Sequence, residues 1–153
     1  MSKRSKKEAP PSRGRMILYS IAALFCLLGL ADATYLSVMA LTGETAACGG
    51  QVGCSEVLGS SYARLGGIPV ALFGVAGYFT AFTFATFAAF DSTRARKFFA
   101  LTVGAMFLAT LWFLYVQAFV LHAFCRYCLF SAAITFLLMG LVVAAPSPAV
   151  SDK

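Results

Sequence analysis

Four of the five cysteines in this chain of 153 residues fall into two close pairs. Cys48 and Cys54 form a C-x5-C, and Cys125 and Cys128 form a C-x-x-C. The second spacing has a chemical use: one helical turn puts residues i and i+3 on one face, near enough to join through their sulfurs. If a helix starts near Cys125, the positive end of its dipole favours a thiolate there, and Arg126 pushes the same way. A thiol of lowered pKa leaves readily and exchanges fast. Two such pairs together suit a thiol–disulfide relay. The plainer readings are a stapled loop, with Cys48 and Cys54 bonded for structure alone, and a four-cysteine zinc site. Which of these holds depends on where the chain places the pairs.

The elements that place them are apolar. Hydrophobic residues make up 60% of the chain and charged ones 12%, about half the charge of a soluble domain. A soluble chain this small has no core large enough for that apolar surface, and lipid is the solvent that accepts it. Four spans are legible, at about 16–41, 68–90, 98–121 and 125–145, and at about 1.5 Å per residue each crosses a ~30 Å hydrocarbon layer. Residues 1–15 read as a disordered basic tail and 146–153 as a second tail. Between the first two spans lies a glycine-rich loop, 43–67, in which Ser55–Ser61 reads as a short helix with Ser55 at its N-cap. Pro69 sits in the first turn of the second span, where a missing N–H does no harm. The expected fold is an all-α integral membrane protein, a bundle of four transmembrane helices.

Charge orients the bundle. Six of the twelve basic residues fall within the first fifteen positions. With the N-terminus in the cytoplasm, the two tails and the 91–97 turn hold ten Lys or Arg, against Arg64 and Arg126 on the opposite side, a strong positive-inside bias. So local a basic cluster speaks for a membrane anchor and against a nucleic-acid surface. The long basic segment and the long apolar run after it argue for a retained helix and against a cleaved signal peptide. The loop and the 122–126 connection then share the non-cytoplasmic face, where disulfides persist. All four paired cysteines lie there, which favours the relay over zinc, and Cys128, one turn deeper than Cys125, is the one within reach of a lipid-soluble oxidant.

These residues resemble the vitamin K epoxide reductase family in its short bacterial-type form. The matching elements are Cys48 and Cys54 in a glycine-rich loop, Ser60, and the entry Gly67-Ile68-Pro69-Val70-Ala71-Leu72-Phe73-Gly74. Tyr78 follows one turn on, and Phe124-Cys125-Arg126-Tyr127-Cys128 opens the fourth span. The resemblance covers roughly residues 16–145. It implies four helices bundled around a quinone (ubiquinone, menaquinone or another vitamin K-type quinone) and capped by the loop. It also implies an electron path: a reduced thioredoxin-like partner attacks the Cys48–Cys54 disulfide at Cys48, freed Cys54 attacks Cys125, and Cys128 is released beside the quinone. Ser60 would assist the redox step. Tyr78, Val70, Phe73 and Ala132 would line the quinone pocket with Cys128. At Val70 and Ala132 the animal enzymes carry an asparagine and a tyrosine, so the polar groups that hold an epoxide substrate are missing, whereas quinone reduction by a thiolate asks less of the pocket. The resemblance places the chain in a bacterial plasma membrane with its redox loop in the periplasm. No thioredoxin-like segment follows the fourth span, so the expected partner is a separate protein.

Other positions carry weaker signals. Asp32 is the one acid inside a span, either functional or solvated near the outer interface. His122 lies beside the C-x-x-C as a possible proton relay or an incidental interfacial residue. Cys26 reads as a small apolar residue. Gly29, Gly74, Gly77 and Gly104 are candidates for close helix contact. Three functions compete: a quinone-dependent thiol oxidase, a reductase of quinone or vitamin K epoxide as its main purpose, and a non-catalytic four-span protein with a stapled loop.

Overall fold

The computed structural model describes residues 12–43 and 52–145; Cys48, the first eleven residues and the 146–153 tail lie outside them. Four long apolar helices dominate the described part, and each is long and apolar enough to cross a membrane. Helix α1 spans Arg13–Thr42 and ends where Gly43 turns left-handed (φ 69°), its N–H returning to the Met39 carbonyl. That closing turn is one glycine adopts without steric cost. The helix starts three residues before the expected Met16, and Arg15 leaves the tail to pair with Asp91 at 3.0 Å.

The loop is more ordered in register than its composition suggests. A short helix α2, Val52–Gly59, is followed by a single 3-10 turn at Ser61–Ala63. Ser55 therefore lies inside α2 rather than capping it. Arg64–Leu65 (β1) pairs antiparallel with Ile68–Pro69 (β2) around Gly66 and Gly67, whose φ values are 60° and 88°. Two left-handed residues in a row make the tight hairpin turn, which takes Ile68 and Pro69 out of the second span. Helix α3 accordingly runs Val70–Ala89. The Arg64 guanidinium donates to the Ala40 carbonyl at 3.1 Å, tying the hairpin to the end of α1.

Helix α4 spans Thr93–Tyr115, five residues earlier than the expected start at Phe98. Ser92 caps it, its hydroxyl accepting from the Ala95 N–H at 3.4 Å. Arg94, Arg96 and Lys97 thus sit in helix rather than turn, since long basic side chains favour helix and carry their charge out to the interface. A π-helical turn, Val116–Val120, ends this span, and α5 follows at Arg126–Ala144.

Helix α1 packs on α3 and α5, and α4 closes the ring against the same two. Most of the buried residues between α1 and α3 are small: Ala22, Cys26, Gly29 and Ala33 on α1, and Ala81, Ala85 and Ala88 on α3, with the Tyr78 ring against Gly29. Between lipid-soaked helices close packing replaces the hydrophobic drive, so small side chains mark the interfaces. Leu24, Leu101, Leu108, Phe79 and Val143 remain at least 60% exposed, a face suited to lipid and not to water. Thr34, Ser37, Thr80, Thr83 and Thr86 return their hydroxyls to the carbonyl four residues back at 2.7–2.9 Å, so they carry no open donor into the bilayer.

Candidate functional site

The site is built where α4 ends and α5 begins. In the π turn the Leu121 N–H reaches the Val116 carbonyl at 2.9 Å, and the Ala123 N–H reaches that of Gln117 at 3.1 Å. This wider turn breaks the helix without a proline. His122 then takes a left-handed conformation, φ 49°, and Cys125 becomes the N-cap of α5 with extended backbone. Gln117, only 3% exposed, holds the cap in place: its Oε1 accepts from the Cys125 N–H at 3.1 Å.

Helix α2 lies directly on this connection. A Cβ at Gly53 would come within 2.8 Å of the Phe124 carbonyl oxygen, so only glycine permits the approach. Cys54 and Val57 thereby join Ala123 and Cys125 in one buried cluster. Cys54 is disulfide-bonded, whereas Cys125 and Cys128 are free thiols. The Cys54 and Cys125 sulfurs lie 3.7 Å apart, with both residues buried. That is a few tenths of an ångström beyond the ~3–3.5 Å of a near-attack arrangement.

The electrostatics favour a thiolate on Cys125. A hydrogen bond from the Cys128 thiol lowers its pKa to about 7, against the opposing effect of burial. The N–H groups of Cys128 and Tyr127 act in the same direction and are part of that lowering. Arg126 is not among the groups that set it, because its side chain is exposed and water screens it. The helix start therefore acts as the sequence suggests, and the guanidinium does not.

Below the thiols lies a cavity of about 620 Å³, within the usual range for a bound small molecule. Cys128, Val70, Phe73, Tyr78, Ala132 and Ser60 all line it, so every residue assigned to the pocket by resemblance reaches the same space. The one remaining site residue, Cys48, lies outside the described residues. Most of the lining is aliphatic or aromatic, which fits the ring and first isoprenoid units of a quinone.

Residues 20–143 match the vitamin K epoxide reductase family. The chain belongs to this family. It is an integral membrane oxidoreductase, and the match takes in α3 and α4, most of α1 and α5, and both cysteine pairs.

The cavity wall is apolar at Val70 and Ala132, while hydroxyls gather nearby. Tyr78 contacts the Ser131 carbonyl and hydroxyl, each at 2.9 Å, and the Thr135 hydroxyl at 3.0 Å. Tyr78 thus ties α3 to α5 as well as lining the cavity. Ser60 donates to the Val57 carbonyl at 2.8 Å, closing the end of α2. Asp32 is mostly buried: it is 9% exposed, and its Oδ2 is enclosed with no hydrogen-bond partner among the described residues. Its carboxyl group lies within electrostatic reach of Cys125, Cys128 and Tyr78. Cys26 packs in the helix core, away from the relay cluster. His122 is exposed.

Of the four glycines, Gly29 meets the Tyr78 ring and Gly77 meets Met106, whereas Gly74 has only ordinary contact with Ala33. Gly104 has nothing within 4 Å and makes no close helix contact. Two residues of the site escaped sequence reasoning, Gln117 and Gly53. Gln117 did leave a signal, as the one carboxamide side chain within the four spans.

Proposed function

We propose that this protein passes electrons from a reduced thioredoxin-like partner to a membrane quinone, and so generates disulfides on the non-cytoplasmic side. The observation that carries the reading is the 3.7 Å approach of Cys54 to Cys125, with Cys128 one turn on in the cavity wall. A partner thiolate attacks Cys48 of a Cys48–Cys54 disulfide and forms a mixed disulfide, releasing Cys54 as a thiolate. The second partner thiol resolves that bond and leaves oxidised partner. Cys54 attacks Cys125 of a Cys125–Cys128 disulfide and frees Cys128, and Cys48 then displaces Cys125 to reform the outer disulfide. The inner pair is now a dithiol, the state of Cys125 and Cys128 in the structure.

Quinone supplies the electron sink: it takes two electrons and two protons from the inner dithiol and leaves as quinol. The net change is one partner dithiol oxidised and one quinone reduced. What the chain contributes is placement and ionisation. Gly53 lets α2 bring Cys54 onto the connection, the Cys125 cap favours its thiolate, and the buried cluster excludes water and stray thiols. A thiol leaves faster the lower its pKa, so the lowered pKa of Cys125 favours its displacement by Cys48.

The charge bias favours retention of the basic ends in the cytoplasm, so the redox loop faces the other side, which the resemblance to the short bacterial-type form makes the periplasm. Ser60 supports the loop end beside Cys54, and Tyr78, Val70, Phe73 and Ala132 shape the quinone site. With Val70 and Ala132 apolar, vitamin K epoxide is the poorer substrate.

The test is quinone reduction by purified protein in detergent, supplied with a reduced thioredoxin-like partner. Single serine substitutions at Cys48, Cys54, Cys125 and Cys128 should abolish turnover, and Cys26→Ser should retain it. If all five variants turn over like the wild type, the relay is wrong and the stapled-loop reading replaces it.

A further inference from the structure

The chemistry above leaves one buried polar group with half its capacity unspent. Gln117 sits on the π turn, 3% exposed, and lines the same cavity as Cys128. Its side-chain orientation is fixed by chemistry: the Cys125 N–H is a donor, so the atom facing it at 3.1 Å must be the acceptor Oε1 and not the amide nitrogen. Nε2 carries two N–H donors, and among the described residues neither has an acceptor. Nor is that nitrogen among the fully enclosed unpartnered polar atoms, which are Asp32 Oδ2 and Arg96 Nε. It is therefore open to accessible space, and the space this residue lines is the cavity.

An uncommitted amide donor inside a membrane bundle is costly unless an acceptor arrives. A quinone carries two carbonyl oxygens that only accept. Val70 and Ala132 also line the cavity, and neither side chain can donate.

Resting on the quinone reading, we propose that Gln117 is the residue that binds the quinone carbonyl, donating from Nε2 while its Oε1 holds the Cys125 N–H. The polar anchor of the pocket then comes from the end of the third span and not from the start of the second. One planar amide links the exchanging cysteine to the electron acceptor, so the carbonyl is held on the side of the cavity nearest the thiols.

The test uses a short-chain ubiquinone, 13C-labelled at its carbonyl carbons, bound to the full-length protein in detergent. In wild type, difference infrared spectra should show one carbonyl band shifted down by hydrogen bonding. In Gln117→Leu that band should return to the unbonded position, and quinone should bind roughly two- to tenfold more weakly, the size of one neutral hydrogen bond. A second measurement needs no substitution. The chain has only two glutamines, Gln51 and Gln117, so selective 15N labelling yields two side-chain amide signals in the NMR spectrum, and one should shift on quinone binding. The result that overturns the inference alone is a wild-type protein that binds and reduces the quinone while neither the carbonyl band nor either glutamine signal responds. In that case Gln117 only positions Cys125. If wild type neither binds nor reduces quinone, the quinone reading falls together with this inference.

Discussion

Removing the Cys128 thiol should change how Cys125 ionises. The leading influence that brings Cys125 to about 7 is the hydrogen bond from Cys128, and burial is the largest influence opposing it. A thiol at about 7 is roughly half thiolate at pH 7, whereas one at the ordinary value of 9.0 is about 1% thiolate. In Cys128→Ala the donor is gone and burial remains, so the inflection must move up, and Cys125 should alkylate ~10- to 50-fold more slowly at pH 7. Cys128→Ser keeps an O–H donor and should fall between. The assay is time-resolved alkylation of reduced protein by a small iodoacetamide-type reagent from pH 5 to 10, quantified by mass spectrometry on the peptide holding Cys125. Because Cys125 is fully buried, absolute rates will be low, but access slows all variants and the inflection reads ionisation alone. The rate should rise with pH through about 7 in wild type and through a higher value in Cys128→Ala. A wild-type inflection near 9.0, or the same inflection in both proteins, would refute the argument.

Other substitutions follow from the same contacts. Gly53→Ala puts a methyl group within 2.8 Å of a backbone oxygen that cannot rotate aside; misplacing Cys54 by about 1 Å should slow Cys54–Cys125 bridge formation by on the order of 10- to 100-fold, measured in a Cys48→Ala, Cys128→Ala background as the rate at which an added small-molecule disulfide oxidises the two remaining thiols to that bridge. Gly29→Ala drives a Cβ into the Tyr78 ring, and overpacking of this kind should cost about 1–3 kcal/mol, seen as a lower detergent melting temperature. Tyr78→Phe loses the contacts to Ser131 and Thr135 and should destabilise by roughly 0.5–1.5 kcal/mol, with both hydroxyls still able to bond within α5. Asp32→Asn removes the charge that raises the Cys125 pKa, so the alkylation inflection should move down; an upward shift would show that the carboxyl group acts otherwise.

Much of the architecture was legible because it rests on local signals. Apolar length gives the spans, and basic residues at alternate ends give an orientation. The C-x-x-C announces a thiol pair at a helix start, and Cys125 is indeed the N-cap of α5. Element ends were less legible. Gly66 and Gly67 turn a hairpin that takes two residues from α3, while Ser92 starts α4 ahead of its basic residues. The tertiary contacts left little trace. Gly53 looks like any loop glycine until α2 is laid on Phe124. Gly104 looks like an interface glycine and faces nothing. Asp32 was placed by depth along α1, but its burial depends on which way the helix is turned, and depth carries no information about that.

The π turn also bears on how this chain tolerates change in length. A turn of this type holds one residue more than the α-helical path it replaces. Deleting a single residue from 116–120 would let α4 continue as regular helix, with better backbone hydrogen bonds than it has now. Yet each residue advances an α-helix by about 100°, so deleting Val116 would move Gln117 into its place and turn the amide to another face, taking Oε1 from the Cys125 N–H. The segment would gain helical regularity and lose the alignment of its sulfurs. A length-variant series across this turn should therefore show stability and electron transfer changing in opposite directions.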